Sequence, residues 1–597
     1  MGIQKKRLTV SNFDGLTRSG NVTSRMKAGR TLTTILVVLV VSLAGISLCL
    51  VTAERARNSL SNELLNEAKL LEAALNKARL KSLHGTIDDL ANPAYLRLKQ
   101  QLIQVKKIFP QYRFIYLMGI REDGEIYFFI DSELPGSTDE SLPGDPYRGA
   151  TENDRKVFKE KKSTVESPIK DNWGTWASAT VPVVDELSGE AIAALGIDLD
   201  IKNWNGIILE KTLPMIVLSV LLLFFSVIGL ALTWWKKALP QERREKRFPR
   251  YLDAITVLFI SLTITLMAAF SVNENQKSSR KEAFESLAIS KATFVSQAIR
   301  DMRAYELESL SLFFESSESV ERREFETFVR PILSKGDMTI WGWAPAVASD
   351  ERSEFESKIS SEFSGSFEIW EMDDQEKIVR AGERALYYPI LYLEPLVDHR
   401  EFLGLDLGSN AITKAVIEET VETGFMTASD PTTLLESTGE AKGVLILKPS
   451  YKEASDAFQG FVLAFFRPEV FIKLTESISL KDGTTVMGIY LLDDVGRPVF
   501  LASTVGEHDR IDDSVSELRH YHAEEMNVIM PIFEFGKVLV IVVHPSLDYE
   551  RLYPLQEGRM TLAIGAIISL FLTVVVGSLN NRSYRLQREV QQRTEDL

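Results

Sequence analysis

The polar stretches of this 597-residue chain hold side chains able to grip a small molecule, and one pair able to begin a metal site. In the first stretch Tyr116, Asp131, Trp173, Trp176 and Asp198 combine aromatic walls with acidic hydrogen-bond acceptors, the usual furnishing of a ligand pocket. A plainer reading stands beside this one: Tyr116 and Trp176 fill a core, while Asp131 and Asp198 cap strand ends. In the second stretch Tyr388 and Tyr392 are spaced to share one face of a strand, where they wall a pocket or fill the core. His520-Tyr521-His522 would set two imidazoles on one side of an extended segment, half of a metal site with Glu524 and Glu525 nearby. No other Cys or His is close in sequence, so a solvated polar turn is the expectation, with no metal.

Catalysis has little to work with. Asp131, Asp198 and Asp406 have the chemistry for acid–base steps in an extracytoplasmic enzyme, but no nucleophile or base accompanies them at a telling spacing. There is no Walker phosphate loop, no Gly-x-Ser-x-Gly and no His-Glu-x-x-His. A diguanylate cyclase signature, a kinase phosphoacceptor and an ATP-binding motif are also missing. The chain is therefore expected to carry no catalytic residue and no cofactor. A net charge of −15 argues against nucleic acid as a partner, because phosphate binding needs a concentrated basic face. The single cysteine, Cys49, rules out a disulfide within one chain.

The elements that position these residues are set by four uncharged apolar runs, at 31–53, 212–235, 254–272 and 560–579. Each is long enough to cross a hydrocarbon layer about 30 Å thick as a helix. The first starts too far into the chain for an ordinary signal peptide and has no convincing cleavage site, so it reads as an uncleaved anchor. Basic residues cluster before span one (Lys5, Lys6, Arg7, Arg18, Arg25, Lys27, Arg30) and between spans two and three (Lys236, Lys237, Arg243, Arg244, Lys246, Arg247, Arg250). Arg582, Arg585, Arg588 and Arg593 follow span four. The positive-inside rule puts all three regions in the cytoplasm, and the polar regions 54–211 and 273–557 outside. Trp234 and Trp235 fit an interfacial anchor at the end of span two. A bacterial cell-membrane protein is expected, multi-pass, with both termini cytoplasmic and two periplasmic domains.

Span one continues into a helical stripe of Leu60, Leu64, Ala68, Leu71, Leu75 and Ala78, able to pack on its own domain or on a second copy. Beyond Pro110 the period becomes that of strands, at 112–119 and 125–132, joined by the turn signal Arg121-Glu122-Asp123-Gly124. Two more strands, 175–184 and 191–199, flank Glu186-Leu187-Ser188-Gly189. A long helix leading into an antiparallel sheet resembles the Cache family of extracytoplasmic PAS-like sensors. The likeness rests on Tyr116-Leu117-Met118, Asp123-Gly124, Phe129-Ile130-Asp131-Ser132 and Leu195-Gly196-Ile197-Asp198-Leu199.

Span three leads into a second amphipathic helix, with Phe284, Ala288, Val295, Ile299 and Met302 on one face. Then come Trp341-Gly342-Trp343-Ala344-Pro345, Tyr387-Tyr388-Pro389, Tyr392-Leu393-Glu394-Pro395 and Leu403-Gly404-Leu405-Asp406-Leu407. Glu422-Thr423-Gly424, Pro449-Ser450-Tyr451 and a strand from Gly460 complete an order that resembles the CHASE domain, a sensory module of cyclases and histidine kinases. The resemblance implies two PAS-like subdomains on a stalk helix, with the ligand in the one farther from the membrane. It places a ligand-bonding carboxylate at Asp406 and pocket-lining residues at Thr427, Ala428 and Ser429, although Asp406 can equally serve the fold. The fold class is thus a multi-domain α+β membrane protein: four transmembrane helices, with antiparallel PAS-like sheets on stalk helices.

After span four, Leu586, Val590 and Leu597 fit the d, a and a positions of a coiled coil barely two heptads long. It resembles the linker that joins such receptors to an output module. The expectation is the input region of a sensor histidine kinase, acting as a homodimer on small-molecule ligands with its kinase module beyond this chain. A diguanylate cyclase input is the close alternative. A non-enzymatic receptor or scaffold that acts on a separate kinase is a third.

Overall fold

A computed structural model describes residues 16–595, apart from 186, 241–246, 334–338, 363–365, 374, 376, 397–398, 433–442, 453–456, 470, 473–482 and 505–525. Each apolar run lies within a long helix. These are α1 (Leu16–Ala74), α4 (Ile201–Ala238), α5 (Arg247–Asp301) and α7 (Glu557–Glu595). All four are long and apolar enough to cross a membrane. Two compact units divide the chain.

The first unit comprises residues 1–60, 205–279 and 555–597. Its helices touch in sequence. Cys49 Sγ meets Ser219 Oγ at 3.4 Å between α1 and α4, and Phe225 stacks on Phe259 at 4.9 Å between α4 and α5. Thr265 and Ser569 hydroxyls pair at 3.3 Å between α5 and α7. Asp253 on α5 accepts from Lys236 (2.6 Å) and Asn580 (3.1 Å), a polar lock tying α4, α5 and α7 together. Small hydroxyls and polar pairs are the interactions available to helices whose apolar surface gains nothing by leaving lipid.

The second unit comprises residues 61–204 and 280–554. In its first part, α2 (Pro93–Ile108) precedes β1 (Tyr112–Ile120) and β2 (Ile126–Asp131). They are followed by α3 (Glu152–Glu160), β3 (Thr164–Lys170), β4 (Thr175–Val184) and β5 (Ala191–Asp200). The sheet is antiparallel in the order β2-β1-β5-β4-β3. Gly124 closes the β1–β2 turn at φ 85°, the left-handed geometry that Asp-Gly turns supply.

The second part has a five-stranded sheet of β6 (Thr339–Pro345), β7 (Tyr392–Glu394), β8 (Thr427–Ala428), β9 (Val444–Lys452) and β10 (Ala457–Phe466), ordered β7-β6-β10-β9-β8. Helix α6 (Ala411–Thr423) leads into β8 and ends at the left-handed Gly424. A four-stranded sheet follows, of β11 (Thr485–Leu492), β12 (Pro498–Ser503), β13 (Val528–Glu534) and β14 (Lys537–Pro545), ordered β12-β11-β14-β13. The stripe on α5 is buried as its spacing predicts, since Phe284, Ala288, Val295 and Ile299, with Met302 in the π-helical turn that follows, join a core shared with both sheets.

Two expectations need correction. The stripe from Leu60 is buried through Leu75, but α1 stops at Ala74 and Asn76 caps a new short helix, Lys77–Lys81, so Ala78 turns out to solvent. Nor do Tyr388 and Tyr392 share a face. Tyr388 follows the two-residue strand Leu386–Tyr387 and packs with Phe461, while Tyr392 opens β7 and stacks on Phe325 in a different core. Pro389, bridged to Asp406, breaks the strand that would have aligned them.

The two parts of this unit are joined through α2. Gln101 and Gln104 donate to the carbonyls of Lys537 (3.0 Å) and Asp493 (2.9 Å), and Lys107 donates to that of Val495 (2.7 Å). Arg97 pairs with Glu419 on α6.

Candidate ligand-binding cleft

Strand register assembles a cleft on one face of the first sheet. Tyr116 on β1 stands opposite Gly196 on β5, and Asp198 on β5 stands opposite Ser178 on β4. Gly196 is needed there: a Cβ would lie 2.4 Å from the Tyr116 ring. With the ring laid across the glycine, the Tyr116 hydroxyl donates to Asp198 Oδ1 at 3.2 Å. Ser178 donates to the same oxygen at 2.6 Å.

The cleft is lined by Phe114, Tyr116, Phe128, Tyr147 and Trp173 with Asp131, Asp139, Asp171, Asp198 and Ser141. It is a half-open cleft: the space between these side chains, open solvent included, is about 330 Å³, of which about 20 Å³ admits the centre of a water-sized molecule. Phe128 is the centre of the aromatic wall, with ring centroids of Tyr147, Tyr116 and Trp173 at 5.1, 5.7 and 6.0 Å. Asp171 Oδ1 accepts from the backbone of Trp173 and Gly174 and from Trp176 Nε1, each at 2.9 Å, which fixes the loop that presents Trp173. Asp131 accepts from the backbone of Glu133 (3.0 Å) and Ser141 (2.6 Å) and pairs with buried Lys99 on α2.

Four of the five residues singled out in this domain therefore line one cleft. Trp176 does not; it packs edge-on against Phe114 at 5.3 Å, behind the wall. Phe114, Phe128, Asp139, Ser141, Tyr147 and Asp171 were not anticipated. Alternation points to Phe114, two positions before Tyr116, but Tyr147 and Asp171 come from irregular segments without a periodic signal.

Electrostatics single out Asp198. Burial, reinforced by Asp171 and Asp154, outweighs the Ser178 and Tyr116 hydrogen bonds and pushes its carboxyl up to about 7. Burial likewise raises Asp131 despite Lys99, and Asp154 despite its bonds from Thr151. In the unfolded chain Asp198 titrates near 3.8. Between those values the folded state binds the extra proton, so this contribution is full below about pH 4 and is lost as pH rises through about 7. The unliganded domain is expected to melt at lower temperature at pH 8 than at pH 5, and Asp198→Asn to flatten that dependence. Thermal unfolding followed by near-UV circular dichroism checks both.

In the second outer region the predicted residues are packed. Asp406 is fully buried; Oδ1 accepts from the backbone of Tyr388 (2.8 Å) and Gly408 (3.0 Å), and Oδ2 from Arg384 (2.6 Å). Its carboxylate is thus not the unpaired acceptor that would select a ligand by itself. Gly404, two residues earlier, sits at φ 86°, where a Cβ would meet the Glu368 carbonyl at 2.5 Å. Thr427 and Ala428 form β8, paired with Leu447 and Ile446 on β9. Ser429 receives the Leu445 amide at 3.0 Å. Tyr392 donates to the Val320 carbonyl at 2.8 Å, and Tyr388 is half-buried. His520-Tyr521-His522 lies outside the described residues. Among the described residues no group of three metal-binding side chains occurs.

Residues 318–498 match the CHASE domain family. A 116-residue stretch is 22% identical to a germination-specific adenylate cyclase of Dictyostelium discoideum, covering 19% of this chain and 13% of that enzyme. Among solved structures, the chain is similar to an extracellular ligand-binding receptor from Desulfohalobium retbaense, at 11% identity and a TM-score of 0.28, over 44% of this chain and 40% of that one. It is also similar to the ligand-binding domain of the Pseudomonas aeruginosa chemoreceptor PctC, at 10% identity and a TM-score of 0.27, over 44% of this chain and 97% of that one. The extracellular domain of mmHK1S-Z3, described as a histidine kinase, matches at 13% identity and a TM-score of 0.27, over 46% and 97%. The chain is a membrane protein of helices and antiparallel sheets, and its residues 318–498 match the CHASE domain family.

Proposed function

We propose that this chain is the sensory input region of a transmembrane sensor histidine kinase, seated in a bacterial cell membrane with both termini cytoplasmic and both outer domains periplasmic. The observation that carries the reading is the cleft itself. A buried acid and an aromatic wall are assembled in a domain inserted between two membrane-spanning helices, one of which, α1, carries a stripe buried through Leu71. A ligand biases such a receptor only through different affinities for two packings of its helices. The two packings would differ at α7, whose Leu586 and Val590 are exposed on a single copy and fit a homodimeric coiled coil; Leu597 lies outside the described residues.

In the CHASE domain the reading keeps Asp406, Tyr388, Tyr392, Thr427, Ala428 and Ser429 as the ligand-responsive set. A ligand reaching Asp406 would have to displace Arg384, which Glu371 also holds.

A cyclase output is the second reading, favoured by the adenylate cyclase similarity. The test is to capture the natural gene product from its own membranes with antibody against residues 273–557 and supply labelled ATP and GTP. Phosphate on a histidine supports the kinase, and a cyclic nucleotide moves the output to a cyclase. Neither product, with a separate kinase co-captured, makes the chain a scaffold.

A further inference from the structure

Resting on that reading of the first outer domain, we propose that its cleft takes a small organic ammonium ion that lacks a carboxylate. The lining contains four aspartates and no lysine, arginine or histidine. The cations beside it are already engaged at one end: Lys99 pairs with Asp131 and Glu140, Arg113 with Glu133 and Asp139, and Lys106, which with Arg113 lies over the Phe114 ring, with Glu133. At the other end, among the described residues, no cation pairs with Asp171 or Asp198. All three hydrogen bonds to Asp171 end on Oδ1, and both bonds to Asp198 end on Oδ1. Oδ2 of each carboxylate is left for a ligand. Asp198 is 3% exposed, so a proton or a cation must compensate its charge.

The rings supply the second half of the argument. Tyr116, Phe128, Tyr147 and Trp173 stand at mutual angles rather than in one stack, with Trp173 at 90° to Phe128 and Phe128 at 76° to Tyr116. Ring faces and edges arranged this way suit an ammonium group, which is drawn to π faces and loses less on desolvation when carboxylates stand behind them. A free amino acid would bring its own carboxylate against aspartates with no basic side chain in the lining to receive it. Acetate and other simple anions are disfavoured for the same reason.

The test is calorimetric titration of the full chain in lipid nanodiscs with choline, ethanolamine, sodium acetate and myo-inositol. Choline or ethanolamine is expected to bind, with affinity falling at least about tenfold in Asp198→Asn, a loss typical of a buried charge partner. Trp173→Ala, at a partly exposed position where folding tolerates truncation, is expected to weaken binding by about three- to thirtyfold, the span of a cation–π contact. Binding of acetate or inositol that depends on Trp173, with no ammonium binding, overturns the ligand class and leaves the cleft as the sensor site. Ammonium binding indifferent to both substitutions places the site elsewhere and overturns the proposal. No binding by any of the four overturns both the ligand class and the cleft's role.

Discussion

Asp406→Ala is expected to unfold the five-stranded part around residues 339–466, at a cost of about 3–5 kcal/mol. The carboxylate is fully buried and holds three groups at once: the amides of Tyr388 and Gly408 and the guanidinium of Arg384. Its own backbone bonds to Trp370, and its side chain caps the turn Leu407–Ser409. Removing it leaves two amides without an acceptor and a cation with only Glu371, and each unsatisfied buried group costs about 1–3 kcal/mol. Asp406→Asn keeps an oxygen for the amides and should lose roughly half as much. Hydrogen exchange over residues 386–408 reads the effect locally, where a single global midpoint would blur a multidomain chain. Unchanged protection in Asp406→Ala would return the residue to a role in ligand binding alone.

Glu534→Ala should loosen the two parts of the second unit from each other, again at about 3–5 kcal/mol, because it removes a buried carboxylate that faces Arg79, Arg300 and Arg303. Glu534 is 2% exposed at the end of β13. It pairs with Arg303 at 2.7 Å and receives Asn76 of the first domain at 3.5 Å. Arg79, also from the first domain, is held down to about 10 by burial and by Arg97 and Arg303, with Glu534 opposing that shift. Burial raises the Glu534 carboxyl even against Arg303, Arg300 and Arg79, which marks how dry the cluster is. Without the glutamate, Arg79, Arg300 and Arg303 lose the negative charge they share. The variant is expected to show faster exchange along α2 and cleavage by trypsin near Arg97, while the strand cores of each domain stay protected. If α2 remains as protected as in the parent, the hydrogen bonds of Gln101, Gln104 and Lys107 hold the domains by themselves.

The spans and strands were legible because each follows a period: uncharged runs for the bilayer, alternation for the sheets. Strand predictions in the first domain fall within one or two residues of β1, β2, β4 and β5. What periodicity cannot carry is pairing between distant segments. Nothing in the sequence near Asp406 points to Arg384 as its partner, and so sequence alone leaves a ligand-bonding carboxylate and one that serves the fold equally open. Asp171 was missed for a similar reason, since its value lies in three donors that only the folded loop brings to one oxygen. Asp131 and Asp198 look alike in sequence and end differently, one facing Lys99 and the other no cation. Helix α2 has no counterpart in the sequence reading, although it carries several of the contacts that join the two parts of the second unit.

Labelling of single cysteines in a Cys49→Ser background tests the account most directly. It uses intact and permeabilised cells and a membrane-impermeant maleimide. Leu187→Cys in the first outer domain and Tyr305→Cys beside the second are both well exposed on the chain. Both are predicted to label in intact cells, while Leu586→Cys beyond the last span labels only after permeabilisation. Labelling of Leu586→Cys from outside, or protection of either outer position until the membrane is opened, would contradict a receptor whose sensing domains face out and whose last helix carries their state inward.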